Sequence, residues 1–526
     1  MAQERPKEYK PLSFSTTMRN PARIADFLKC ILPFEEQILT KEIIHQIAVK
    51  LISQKLYKPT FVNGNTRLKD IYDSEDDFSV EDTEYIINNS PQKHKEAGFE
   101  IGWPSRFDTW YKLSMEFGFI YYAMNEPIEI SKTGHMLIDA VSETPKNDDK
   151  IQNVFLNAMI KYQTNNPFRK NSNTNVPLPL LLNVIKKLKD DPEENDAGIF
   201  INELSMIICW PNNDATALYE EIKSFRKKYQ FTYSDEVVYD RCLEILNADL
   251  SRKNRFKINQ ITGEAVDEFI RKMRITGLIS LRGNGRFIDF NSFESERIDY
   301  VIRNYTTFKS FSSKRDYFQY MGSVDPHILS IHHQEPTGID AVKEKTINEW
   351  AKKDKSFIYN ELIITCSRSK ESLDPILRII EKPTRFEFLI SIALKQHFQD
   401  LIIKANYKSD DEGIPTFTAA GGMADIECFD KDCNPLVEVT LIQSRTQATN
   451  EMPAITRHLT EAVAKSPDTK VFTLFIAPIL HADTIYMANF SKFQYKVDII
   501  TLNIKDFIAK LDKIARITDF IEIKNH

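Results

Sequence analysis

The sequence predicts a multidomain α+β protein, and three observations carry that reading. A helix–hairpin–helix pattern occurs twice in the first 300 or so residues. A polar helical stretch follows it. From Pro383 onward the rhythm changes to a sheet flanked by helices. With 526 residues the chain has room for several domains, and one core is not expected to serve it all.

The first module ends in RFDTWYKLSMEFGFIYYAMNEPIEISKTGHMLIDAV. A helix should stop at Gly118, FIYYAM and IEIS alternate like strands around an Asn-Glu-Pro turn, and a second helix should start near Ser131. Helix, hairpin, helix is the ending of a winged-helix-like module. The second follows in AVDEFIRKMRITGLISLRGNGRFIDF, with Gly277 after the helix and a Gly-Asn-Gly turn between strands. Residues 305–375 read as a helical linker without wing-like patterning. The boundaries expected are 1–145 and 146–304 for the two modules, 305–375 for the linker and 376–526 for the last domain. An acidic segment, Asp73 to Glu84, is expected on a solvated loop.

Composition excludes several classes. Apolar residues make up 42% and charged residues 27% of the chain, as in ordinary globular proteins. No apolar run is long enough to span a membrane, and the opening MAQERPKEYKPLSFS does not read as a signal peptide, so no membrane partner is expected. The six scattered cysteines (Cys30, Cys209, Cys242, Cys366, Cys428, Cys433) form no CxxC pair and read as reduced thiols in a cytoplasm. A net charge of −6 excludes a uniformly basic coat but allows local patches. From Arg252 to Phe287 nine Lys/Arg (Arg252, Lys253, Arg255, Lys257, Arg271, Lys272, Arg274, Arg282, Arg286) face three acids, the balance that docking on a phosphate backbone requires. A solvated helix face explains part of that excess equally well.

Chemistry concentrates in GGMADIECFDKDCNPLVEVTLIQS, Gly421 to Ser444. Two alternating apolar runs flank a short polar turn, so the segment is a hairpin. A turn over Asp430 to Cys433 sets Asp425 directly opposite Glu438. Like charges in that relation destabilise a sheet, and burial raises the cost. A divalent metal resolves the conflict, and hard oxygen ligands suit Mg²⁺. The alternative is a solvent-facing edge hairpin. Glu387 lies beside an apolar helical stripe, although Thr384-x-x-Glu387 also reads as a capping box. Glu451, Arg457 and His458 follow the second strand, where His458 is either a core residue or a group that positions or protonates a phosphate oxygen.

Helix-Glu, strand-Asp and Glu-x-x resemble the PD-(D/E)xK nuclease core, with Met-Ala in place of the Pro before Asp425 and Thr440 in place of the lysine. SFSTTMRNPARI, ITGLISLRGNGRF and AAGGMADIE…VEVT…EMPAITRH…FTLFIAP together resemble the AlwI family of type IIS restriction endonucleases and their nicking relatives. The resemblance implies tandem winged-helix-like DNA-recognition subdomains, a linker and a C-terminal PD-(D/E)xK-type α/β cleavage domain, in a prokaryotic cytoplasm. It also implies Glu387, Asp425 and Glu438 as the acidic, metal-holding set, with Glu451 and His458 as companions, and a threonine at the lysine position.

The expected activity is Mg²⁺-dependent hydrolysis of double-stranded DNA at a fixed offset from an asymmetric site. Arg19, Asn20, Arg23, Arg271, Lys272, Arg274 and Arg282 are candidates for DNA contacts. His458, Arg457 or a second metal would replace the missing lysine. One site cuts one strand, so double-strand cleavage would need a transient homodimer or a small catalytic partner subunit. The alternatives are a nicking endonuclease or the large subunit of a heterodimeric enzyme, a winged-helix regulator with an inactive nuclease domain, and a non-specific repair nuclease.

Overall fold

Hydrophobic periodicity becomes helix and hairpin close to where the sequence places them. The structure is a computed structural model and describes residues 7–14, 18, 20–74, 77–143, 146–194, 198–249, 251, 256–331 and 338–522. It divides into two units, Met1–Ser142 with Asp149–Gln334, and Glu143–Asp148 with Glu335–His526.

In the first unit α1 (Lys41–Ser53) is capped by Thr40, whose hydroxyl accepts from the Ile43 N–H, and buries Ile44, Ile47, Ala48, Leu51 and Ile52. There follow α2 (Trp103–Glu116), the antiparallel pair β1 (Ile120–Tyr121) and β2 (Glu129–Ile130), and α3 (Lys132–Ser142). Gly118 ends α2 at φ +72°, and a Cβ there would lie 2.3 Å from that of Met321, so only glycine fits the stop. The second module contains β3 (Ile199–Phe200), α4 (Ala265–Arg274), β4 (Ile279–Arg282) and β5 (Phe287–Phe290), with strand order β3-β5-β4. Gly283, Asn284 and Gly285 all turn at positive φ, as that tight turn demands. The sequence reading missed β3, a two-residue strand too short to show alternation.

Two expectations are corrected. The acidic segment is not all loop: Ser79 caps a helix at Val80–Asn88, placing Glu81 and Asp82 in its first turn, where the helix dipole favours acids. Nor is 305–375 a single linker. Its helix α5 (Lys314–Gly322) packs on α2, α3 and β1 through Tyr317, Phe318 and Met321. By contrast α6 (Ile339–Trp350) and α7 (Lys355–Cys366) pack on the first long helix of the second unit, α8 (Lys382–His397).

The second unit continues with β6 (Ile402–Ala405), the bulged pair β7 (Tyr407–Ser409) and β8 (Pro415–Ala419), β9 (Ile426–Phe429), β10 (Leu436–Val439), α9 (Met452–Lys465), β11 (Thr473–Ala477), α10 (Ala482–Tyr495), β12 (Ile499–Asn503) and α11 (Ile504–Leu511). Its main sheet has the order β12-β11-β10-β9-β6. The joins β10–β11 and β11–β12 are parallel, each crossing through one helix, while β9 is antiparallel to both neighbours. All of β11 is buried, as befits a strand covered on both faces. Among the described residues no helix is long and apolar enough to cross a membrane. The six cysteines are free thiols, five of them buried.

Candidate active site

The β9–β10 hairpin pairs Leu436 with Glu427 and Val437 with Ile426. Continued by one step, this register would set Asp425 opposite Glu438. Asp425 is tied across the gap, its Oδ2 accepting from the Val439 N–H at 2.7 Å. Glu387 projects from the buried stretch of α8, and its Oε2 accepts from the Ala419 N–H at 3.1 Å. The capping-box alternative fails: α8 starts at Lys382, so Thr384 already lies inside the helix.

Electrostatics bind these acids into one group. Burial pushes the Asp425 carboxyl well above the usual range; Glu438, then Glu451, push it further, against the Val439 hydrogen bond. Burial does the same to Glu387, and Asp425 adds to it. Glu438 is raised to about 8 by burial, with a backbone hydrogen bond at Asp425 opposing and Glu451 adding. Glu451 ends a π-turn (Gln447–Glu451) before α9; burial raises it, opposed by its hydrogen bond to Thr440. Asp148, whose charge also bears on Glu387, accepts from the Thr418 hydroxyl at 3.3 Å; nothing in the sequence around it marks it for this neighbourhood.

Among the described residues a basic side chain is recorded in contact with the set. His458 on α9 places Nδ1 3.1 Å from Glu438 Oε1, while its Nε2 is buried without a hydrogen-bond partner among the described residues. Burial, then the Arg457 charge, lowers its pKa, which favours neutral imidazole. Thr440, two residues after Glu438, is buried, and its hydroxyl accepts from the Ile442 N–H at 3.1 Å. Arg457 is exposed.

Among the described residues no three His, Cys, Asp or Glu side chains converge closely enough to enclose a metal ion unaided. The donor chemistry nevertheless fits Mg²⁺, which takes one or two protein carboxylates and keeps water for the rest. Asp425 and Glu438 each use one oxygen in the hydrogen bonds above, and mutual repulsion destabilises their charged forms until a cation joins them.

The proposed DNA-contacting residues separate by burial. Arg19, Arg252, Lys253 and Arg255 lie outside the described residues. Asn20 is half-buried and offers its carbonyl to the Arg23 N–H; the Arg23 guanidinium donates to the Leu56 carbonyl and lies over the Phe27 ring. Lys272 is fully buried, donating to the Met18 carbonyl at 2.8 Å, and Arg274 is buried too. Arg271 is half-buried. Arg282 folds back onto its own hairpin, donating to Asp289 Oδ2 at 3.0 Å and to the Phe290 carbonyl at 2.9 Å. The basic excess is therefore not a free face. The N-terminal segment lies on α4, with the Phe14 N–H donating to Glu268, and covers part of it. Lys257 and Arg286 remain exposed.

The sequence model of the AlwI restriction endonuclease family matches residues 115–335 and 328–509. No curated protein matches the chain in sequence. Among solved structures, the small subunit of the heterodimeric restriction endonuclease R.BspD6I overlaps at 23% identity over 27% of this chain and 74% of its own (TM-score 0.23). The BpuJ1 endonuclease binding domain, solved with modified DNA, overlaps at 13% identity over 61% and 98% (TM-score 0.36). Restriction endonuclease FokI does so at 9% identity over 98% and 97% (TM-score 0.26). These overlaps are loose, and the family match, spanning most of the chain, makes the assignment: the chain belongs to the AlwI restriction endonuclease family.

Proposed function

We propose that the protein is a site-specific DNA endonuclease of type IIS, in which the second unit hydrolyses a phosphodiester at a fixed offset from an asymmetric site bound by winged-helix-like elements of the first. The observation that carries this reading is the gathering of half-buried Asp425, bonded to the Val439 N–H, with buried Glu438 and Glu387, and with His458 on Glu438. Asp425 and Glu438 would hold Mg²⁺, with Glu387 as a further ligand or an anchor for the attacking water. A bound ion would polarise the scissile phosphate and bring the pKa of its water toward neutrality. His458 fixes Glu438 through Nδ1 and keeps Nε2 to take or return a proton at the attacking or leaving oxygen. Thr440 brings no charge; its hydrogen bond to Glu451 holds that acid beside the pair. One such set serves one strand, so a chain acting alone nicks, and cutting both strands takes two.

The test is incubation of supercoiled plasmid with the full chain and Mg²⁺, then run-off sequencing of the ends. The reading expects cuts at one distance from one sequence, none with a chelator and none with Asp425→Ala. Sequence-specific retention of DNA with no cutting in any divalent metal would make the protein a regulator. Scattered ends would make it a non-specific nuclease.

A further inference from the structure

We propose that a cleft within the first unit binds a single nucleotide, with its base against tyrosine rings and its phosphate on Lys309. The cleft has a volume of about 350 Å³ and is lined by Lys161, Tyr300, Asn304, Tyr305, Lys309 and Tyr320. That volume lies in the lower part of the roughly 300–1,000 Å³ range of ligand sites, with room for one ring system and its substituents. Stretches far apart in sequence build it. They are the turn after the helix Asp148–Met159, the end of the helix Ser295–Asn304 with the segment beyond it, and the C-terminal half of α5.

Two ammonium groups converge on one ring there. Lys161 Nζ lies 5.5 Å and Lys309 Nζ 4.4 Å from the centre of the Tyr320 ring. Lys161 is buried and donates to the Ser323 carbonyl at 2.5 Å, the Tyr320 carbonyl at 3.2 Å and the Ser323 hydroxyl at 3.2 Å. It fixes the wall and supplies charge, while its hydrogens are spent. Lys309 is exposed, its backbone pinned by paired hydrogen bonds with the Gln163 amide, so its side chain is presented from a fixed point. Burial pulls Lys161 down to about 8; the Asp325 charge opposes this and Lys309 adds to it. An anion in the cleft would relieve that gathering of like charges, and a phosphate is an anion that ammonium groups hold well.

The rest of the lining identifies what carries the anion. A carboxylate at the cleft, Asp325, would suit a cationic ligand, but both its oxygens are engaged. Oδ2 accepts from the Tyr300 and Tyr305 hydroxyls, and Oδ1 from the His327 and Ile328 N–H groups. Those bonds set two of the rings, and His327 packs on Tyr300 at 4.6 Å between centres. An inorganic anion would use the lysines and leave the aromatic surface bare. An uncharged aromatic molecule would leave the ammonium groups without a counter-charge. A nucleotide answers both, since any base stacks on such rings and its phosphate meets the lysine. The Asn304 amide donates to the Tyr300 carbonyl at 2.8 Å, which leaves its oxygen and second N–H for a base edge.

Calorimetric titration of the full chain without divalent metal, using thymidine 5′-monophosphate and inorganic phosphate, tests the assignment. The nucleotide should bind saturably and roughly tenfold or more tighter than phosphate, the difference being the stacked base. Tyr320→Leu, which keeps an apolar side chain on α5 but removes the ring, should weaken it by roughly tenfold. Lys309→Ala, at an exposed position, should weaken it by about fivefold or more and flatten its salt dependence. The same chemistry reaches the cleft from a free nucleotide or from one unstacked out of a strand. A short oligothymidylate separates these sources: a strand weakened by Tyr320→Leu as much as the mononucleotide is enters the cleft, whereas a strand unaffected by it leaves the cleft to free nucleotides. Nucleotide binding no tighter than that of phosphate, or unmoved in both variants, would overturn the proposal. Because nothing is cut in these measurements, their failure leaves the catalytic reading standing, and a chain that binds the nucleotide without ever cutting DNA leaves this one standing.

Discussion

Buried acids occur in both units, and they are treated in opposite ways. In the first, Glu203 is closed off from solvent but receives two hydrogen bonds of 2.7 Å from Arg226 and one from the Tyr233 hydroxyl. Glu116 likewise has Arg169 at 2.8 Å and the Tyr162 hydroxyl at 3.0 Å. Asp289 has both Arg282 and Lys189. In the second unit buried Glu387 and Glu438 are gathered with half-buried Asp425 and Glu451, and among the described residues a single imidazole, that of His458, is recorded in hydrogen-bond contact with them. Burying a charge without an opposite one is costly. The first arrangement spends each acid on fold; the second keeps its acids short of cations, and such perturbed groups concentrate where chemistry is done.

The sharpest way to break this comparison is to remove one acid from each kind of site. Asp425→Asn should abolish cleavage, a loss of roughly 10³-fold or more if the ion it holds contributes several kcal/mol. Above about pH 8, where Glu438 ionises, it should also raise the melting temperature of the metal-free protein, because the Glu438 charge then forms without a second carboxylate beside it. Glu203→Gln should do the reverse for stability, costing about 1–3 kcal/mol as the charged hydrogen bonds to Arg226 weaken, with Glu194 still pairing that guanidinium at 2.8 Å. Chemical denaturation of the two variants side by side checks both signs. If both are destabilised alike, the acids of the second unit are structural after all.

The contrast was legible on one side only. The hairpin register could be read because turn residues and alternation fix which side chains face each other, and Glu387 because it interrupts an apolar helical stripe. The strands β6 to β8 were not, since their pairing is short and bulged and their sequence mixes polar and apolar residues without a clean period. Nor were α10, whose aromatic residues point outward, and β12 after it. The fate of Lys272 was hidden for a different reason: it depends on Met18, far away in the chain, and no local pattern records such a contact.

Protonation offers a finer test. Glu438 titrates near 8 in the folded protein and near 4.5 when unfolded, so the native state holds the extra proton between those values. Stability from this group is full below about pH 4.5 and is lost as pH rises through about 8. The metal-free protein should therefore melt progressively lower from pH 6 to about 8.5. If Asp425 and Glu438 take the ion, Mg²⁺ should restore more at the upper end than at the lower, because binding must displace that proton. Thermal melts with and without Mg²⁺ across the range, repeated on Asp425→Asn, measure this directly; an Mg²⁺ effect that is flat in pH, or unchanged in the variant, would place the ion elsewhere.

The smallest effect separates exposed from buried cations within the first unit. Arg286 stands exposed at the tip of the β4–β5 hairpin, its guanidinium donating to the Gly283 carbonyl at 3.1 Å. Arg286→Ala should weaken DNA retention about equally for all sequences and lower the salt slope by about 1. Lys272→Met should leave that slope alone and cost about 1–3 kcal/mol of stability, since the Met18 carbonyl loses its charged donor in the interior. A slope altered by Lys272→Met and not by Arg286→Ala would mean that the N-terminal segment lifts off α4 when DNA binds, turning a buried ammonium outward. Salt titrations of the two variants on a single duplex decide between a fixed basic tip and a cover that opens.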